Sequence, residues 1–404
     1  MKGRGALLLA AILLTGLNLR IALASVSPVY SFIQEDLGIG RAVAGLIVTL
    51  PVLCMAVFAP LASVFADRLG RRAMILTSVA FIGLATVFRV EGGLLVLFAS
   101  AVAVGIGIAT IQALMPEIIK QNFPDRSATL MGSYTASMAL GATLAASAVV
   151  PLTGILDSWP ASLSVWGILA VPAFLAWLPV RSTEDGQRRA AESGAVRLPL
   201  RVSRVWLTMA FFAMTSLMYF SILSWIAQVY EDEGFSQVRA GLILSTFTGV
   251  QIFSAFVIPA ITNRFPDRRP AIIGVIATTV TGLLLMAFVP SLTPWMPWAC
   301  ATLLGLSQGA LFPLALTLPL DNTRTPQMAG RLTSACFLVG YSVAALGPTV
   351  IGAARDATGG FTGPLLALAG ISCAQIILST RMTPGFHIED DAGDEVRNGI
   401  RQDR

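Results

Sequence analysis

Residues 5–33, GALLLAAILLTGLNLRIALASVSPVYSFI, contain a single charged side chain, Arg20. A helix of about 20 apolar residues crosses a bilayer core, so this stretch is long enough to span one. Eleven further runs follow, near 42–66, 73–88, 94–116, 128–152, 160–180, 206–229, 240–262, 271–292, 296–320, 332–353 and 361–380. They account for the composition: 55% of the 404 residues are apolar, 12% are charged, and mean hydropathy is +0.76. An ordinary soluble domain is about 25% charged, and one or two soluble cores cannot hide this much apolar surface. A cytosolic enzyme is excluded, and the chain reads as an all-α membrane protein with twelve transmembrane helices.

The basic residues set the topology. With the N-terminus inside, 22 of the 27 Lys and Arg fall in inside segments, Arg41, Arg89, Arg239 and Arg355 fall outside, and Arg20 lies within a span. This places both termini in the cytoplasm by the positive-inside rule. The net charge of +5 is that loop bias, and no nucleic-acid partner is needed to explain it. Lys2 and Arg4 before an apolar run, with Ala22-Leu23-Ala24 after it, also fit a secretory signal. Retaining the segment as the first span keeps the helix count even and the repeat below intact. Cys54, Cys300, Cys336 and Cys373 lie in spans with no C-x-x-C and no histidine spacing, so they read as small apolar residues rather than metal ligands.

The chain repeats itself at an offset of 196. Glu35-Asp36-Leu37-Gly38 aligns with Glu231-Asp232-Glu233-Gly234, Ala44-Gly45-Leu46-Ile47 with Ala240-Gly241-Leu242-Ile243, Arg68 with Arg264 and Gln112 with Gln308. After a slip of two, Gly132 falls on Gly330 and Thr135 on Thr333. Duplicated halves with a substrate site between them are the layout of secondary transporters. The expected organisation is a six-helix bundle over 1–180, a polar cytoplasmic linker over 181–205, a second six-helix bundle over 206–380, and a cytoplasmic tail over 381–404.

The turn after the second span, Asp67-Arg68-Leu69-Gly70-Arg71-Arg72, resembles the D-R-x-G-R-R signature of the major facilitator superfamily, with Ser63 where the leading Gly is usual. Its second copy, Asn263-Arg264-Phe265-Pro266-Asp267-Arg268-Arg269, is degenerate. Asp67, Arg68, Arg71 and Arg72 are gating candidates, because such a turn can pair across the seam between halves in one conformation and release in the other. Equally, the turn can serve as a positive-inside anchor. A narrower resemblance is to the cyanate and nitroimidazole transporter family. It rests on Asn18-Leu19-Arg20, Ser25, Ser27 and Pro28; on Thr49-Leu50-Pro51-Val52-Leu53 and Ala59-Pro60; on Gly305-Leu306-Ser307-Gln308-Gly309 and Phe312-Pro313-Leu314-Ala315-Leu316; and on Gly340-Tyr341 and Gly347-Pro348. Phe337 stands where that family often has Gln. The resemblance implies a monomeric carrier in the bacterial inner membrane, working by alternating access. Its cargo is a small anion of the cyanate type or a compact polar solute such as a nitroimidazole.

Arg20 is the most informative residue. Roughly 21 Å along a helix started at Ala6, it sits near mid-bilayer, where a guanidinium costs at least about 2.5–3.5 kcal/mol. No Asp or Glu lies in a span core to neutralise it. In a water-filled cavity such a cation is an anion site, since Arg offers a rigid donor fork and keeps its charge. Pairing with helix carbonyls or with Glu117 is the structural alternative. Asn18 lies about 200° from Arg20 on a regular helix and shares a small-polar face with Thr15, Ala22 and Ser25, suited either to a ligand or to interhelical bonding. Gln112 and Gln308 are symmetry mates that the superfamily resemblance places on cavity-lining helices, and an amide serves a small polar anion well. Tyr219 and Tyr341, with Trp225, supply hydroxyl and ring-edge contacts.

The only histidine is His387, in the tail, and no span core holds a carboxylate, which disfavours a proton relay. Glu117 is the carboxylate nearest a span. A proton-driven drug or metabolite exporter of the same fold is therefore the alternative, and it predicts transport lost on Glu117→Gln. No P-loop is present, Gly105 and Gly107 lack the third Gly and preceding strand of a dinucleotide fold, and no cofactor is expected. A multipass enzyme needs a cluster of His, Asp or Glu on one membrane face, and the sequence has none.

Overall fold

The computed structural model describes residues 2–123, 126–180, 198–262, 267–323 and 326–382, and among these it is all-helical. Twelve helical stretches are long and apolar enough to span a membrane, from Gly5–Leu37 to Thr362–Thr380. In the first half they are built from α1 (Lys2–Ala24), α2 (Tyr30–Leu37), α3 (Arg41–Leu69), α4 (Arg71–Val87), α5 (Leu94–Asn122), α6 (Ser127–Leu156), α7 (Trp159–Ser164) and α8 (Ala170–Trp177). The second half comprises α9 (Ser203–Asp232), α10 (Gln237–Thr262), α11 (Arg269–Phe288), α12 (Met296–Asp321), α13 (Pro326–Thr358) and α14 (Thr362–Thr380). Residues 181–197 of the expected linker and 383–404 of the tail lie outside the described residues.

Two expected spans are broken. The first stops at Ala24, turns through a 3-10 segment at Ser27–Val29, and resumes as α2. Pro28 sits in the first turn of that segment, where its missing N–H ends the α-helical ladder. Its repeat mate is Ser224, and α9 accordingly runs unbroken for 30 residues. The sixth span passes from α7 through a 3-10 stretch, Val165–Leu169, into α8. Both copies of the first span end on a left-handed glycine, Gly38 at φ 61° and Gly234 at φ 86°, a conformation that disfavours other residues.

The halves meet along two helix pairs, α3 with α13 and α6 with α10. Repeat-mate glycines allow this approach: a Cβ on Gly45 falls 2.7 Å from the Pro348 carbonyl oxygen, and one on Gly241 falls 2.7 Å from that of Ala146. Hydroxyls tie the same seams, Thr49 to the Ala345 carbonyl (2.6 Å) and Ser245 to that of Thr143 (3.0 Å). α9 is the most enclosed span, with α1 opposite it through the 3-10 turn, where Ser27 donates to the Ser224 carbonyl at 2.7 Å.

Candidate solute-binding site

A recess of about 440 Å³, counting the part open to solvent, lies between the halves. The first half lines it with Arg20 from α1 and with Thr135, Met138 and Ala139 from α6. The second half adds Tyr219, Gln251 and Gln308, with Phe312 and Pro313 closing the wall. Arg20 is 5% exposed, and its guanidinium carbon stands 4.7 Å from the ring centre of Tyr219, 5.4 Å from Phe220 and 6.0 Å from Phe312. No carboxylate pairs with it among the described residues, and its Nη1 is buried without a hydrogen-bond partner. Aromatic faces stabilise a cation through their quadrupoles but supply no acceptor in its plane. Nη1 of the fork is thus left without an acceptor among the described residues.

The other expected site residues divide. Gln308, 1% exposed, donates weakly to Thr279 Oγ1 at 3.5 Å and leaves its Oε1 buried and unpartnered at the recess. Tyr219 contributes its ring to the wall. Tyr341 is buried among Phe212, Phe220 and Phe337, and its hydroxyl donates across the seam to Gln112 Oε1 at 3.3 Å, so this pair stands behind the lining. Asn18 serves the interhelical role: its Nδ2 donates to the carbonyls of Leu14 (2.9 Å) and Leu169 (2.8 Å). Thr15 receives the Trp177 indole at 2.8 Å on the same face of α1. Trp225 donates to the Pro348 carbonyl at 2.8 Å and is a seam residue.

Two membrane faces flank the recess. At the face holding the N-terminus, Arg71 grips Glu117 through two bonds, at 2.7 and 3.1 Å, and Gln121 adds a third at 3.0 Å. Arg72 donates to the carbonyls of Trp177 and Leu178. These partners all belong to the first half, so in this conformation the two arginines brace one bundle. Arg68 is exposed, and the Asp67 side chain lies outside the described residues. In the degenerate second copy, hydrogen bonds from Arg269 hold the Asp267 carboxyl below the usual carboxylate range.

At the opposite face, charges cross between the halves. Arg41, at the start of α3, reaches Asp232 of α9 at 3.0 Å and Asp356 of α13 at 3.9 Å. Arg355 holds the other oxygen of Asp232 at 2.7 Å, and Asp356 accepts from the Ala42 backbone N–H at 3.1 Å. This face is termed the gate face below. Sequence reading left these residues as loop charges, although Arg41 and Arg355 are two of only four basic residues assigned outside. That scarcity was the available signal. It also missed Phe220, Phe312 and Gln251 as neighbours of Arg20. Arg89, expected in an outside loop, is fully buried and donates to the Ala22 carbonyl at 3.0 Å and to Ser100 Oγ at 3.1 Å.

Comparison with known proteins gives a consistent result. The family model described as Major Facilitator Superfamily matches residues 8–348. The chain is 29% identical over 355 residues to the cyanate transport protein CynX of Escherichia coli (strain K12), covering 88% of this chain and 91% of that one. It is 28% identical over 371 residues to a 2-nitroimidazole transporter of the same organism, covering 92% and 93%. Among solved structures, a D-xylose-proton symporter superposes with a TM-score of 0.76 at 14% identity, covering 94% of this chain and 97% of that one, a likeness of fold.

Proposed function

The chain belongs to the Major Facilitator Superfamily and is a multi-pass membrane transporter, and from that premise we propose that it carries a small anion of the cyanate type by alternating access. The observation that carries this reading is the unpaired Arg20 guanidinium facing a recess between the halves. An empty recess that closes around an uncompensated cation raises its desolvation penalty, whereas a bound anion neutralises the charge before closure. Rocking of the halves is thereby favoured when the site is filled, because a ligand shifts a two-state equilibrium only through its differential affinity. The rings around Arg20 also suit a compact planar solute, and the relatives named above support both cargoes. The gate face is read as periplasmic and the termini as cytoplasmic, on the distribution of Lys and Arg in a bacterial inner membrane.

The test is thermal stabilisation of the purified protein by cyanate, other small anions and 2-nitroimidazole at fixed ionic strength, with wild type beside Arg20→Ala. Stabilisation by cyanate in wild type only is the expected result. Neutral or cationic compounds that stabilise both proteins equally, with anions inert, overturn it in favour of a proton-driven exporter of the same fold.

A further inference from the structure

Three buried polar atoms on residues lining the recess have no hydrogen-bond partner among the described residues: Arg20 Nη1, Gln251 Nε2 and Gln308 Oε1. Their side chains come from α1, α10 and α12, and each residue is more than nine-tenths buried. Buried polar groups in folded proteins are nearly always paired, so three orphans on one recess, two donors and one acceptor, describe the solute that completes them.

The first half shows that the fold can satisfy such positions from within. Gln112, the repeat mate of Gln308, has its Oε1 answered by the Tyr341 hydroxyl at 3.3 Å. Met55, the mate of Gln251, is a buried apolar side chain. In the second half the Gln308 amide turns its Nε2 to Thr279 Oγ1 at 3.5 Å, which leaves the carbonyl oxygen open at the recess. That oxygen is a poor neighbour for an anion without a hydrogen of its own, since both present lone pairs. An O–H or N–H on the anion turns the repulsion into a hydrogen bond. Tyr219 and Phe312, with ring centres 4.7 and 6.0 Å from the guanidinium carbon of Arg20, wall the same space and suit a flat solute.

We propose that the recess selects a small planar anion carrying its own hydrogen-bond donor, with acceptor atoms on Arg20 Nη1 and Gln251 Nε2 and an O–H or N–H on Gln308 Oε1. Cyanate, which has no hydrogen, makes the first two contacts and not the third. The inference rests on the anion reading of Arg20 and adds to it the class of anion.

Hydrogencarbonate and nitrate are isoelectronic planar monoanions that differ by one hydrogen, so the pair isolates the contact with Gln308. Purified full-length protein is melted against rising concentrations of each sodium salt at about pH 8 and fixed ionic strength, and the shifts in melting temperature give the two apparent affinities. Arg20→Ala, treated alike, supplies the non-specific salt effect. Wild type is expected to bind hydrogencarbonate at least about tenfold more tightly than nitrate, the scale set by one buried acceptor left unpaired. Gln308→Met is expected to bring the two affinities within about twofold, and its retained nitrate binding reports that the variant is folded. Gln251→Met, which copies Met55, is expected to weaken both anions alike and keep their ratio. Equal affinities in wild type, or a preference for hydrogencarbonate that survives in Gln308→Met, overturn the proposal and leave the anion reading standing. Shifts in Arg20→Ala that equal those of wild type overturn the anion reading itself, and the proposal with it.

Discussion

The two halves share a scaffold and divide the site. Where the first half places Arg20, the second places Ser216 at the equivalent position, buried and without a partner for its hydroxyl. The second half instead supplies the rings that surround the charge, Tyr219, Phe220 and Phe312. Where the first half ends α2 on an exposed Glu35, the second puts Glu231 against the seam. The halves therefore pack alike at the seams, with Gly45 and Gly241 making matched approaches, while differences at a few positions give the recess one cation and one aromatic wall.

Six substitutions break or sharpen that asymmetry. Arg20→Ala has the largest expected effect: loss of charge-assisted hydrogen bonds worth about 1.5–3 kcal/mol weakens cyanate binding tenfold to hundredfold, whereas Ser216→Ala changes it by less than about threefold. Titration calorimetry on the two variants decides whether the halves are unequal. Gly45→Ala and Gly241→Ala probe the opposite property, equality. Each added methyl meets a backbone carbonyl and costs about 1–3 kcal/mol in the closed gate. Both are therefore expected to raise the open population to a similar degree, read from pulsed distances between spin labels at Glu35→Cys and Ala357→Cys, exposed positions in opposite halves, in protein carrying Cys373→Ser. An effect at only one of them ends the symmetric account of the seams.

Phe312→Leu removes one ring from the guanidinium, a loss of about 0.5–1 kcal/mol, and weakens binding about twofold to fivefold in the same calorimetry. Glu117→Gln is the mildest. Its pair with Arg71 lies at the surface within one half, where such pairs contribute about 0–1 kcal/mol. Melting temperature is expected to fall slightly, with counterflow of radiolabelled cyanate unchanged; abolished transport in this variant restores the exporter reading.

Much of this was legible from residue order because a bilayer imposes simple rules. Span number follows from apolar run length, and the duplication follows from aligned residues such as Ala44-Gly45 and Ala240-Gly241. Arg20 was legible for the same reason, since a charge in an apolar run is costly enough to need a purpose. The linker and tail ranges are partly outside the described residues and stay as the composition drew them.

What residue order could not supply was partnership across helices. Asn18 and Arg20 are two positions apart, yet one binds the Leu169 carbonyl and the other faces the recess, because helical rotation separates them and only packing says what each side meets. Asp232 lies 191 positions from Arg41, and Tyr341 lies 229 from Gln112, distances over which a sequence pattern carries no register. By itself the sequence determined the spans, the repeat and the buried cation, all consequences of what each residue costs in lipid. Tertiary structure alone decided which rings enclose that cation, which charges pair across the seam, and that Glu231 rather than Glu35 is the carboxylate shut into the seam, because these depend on which faces of distant helices are brought into contact.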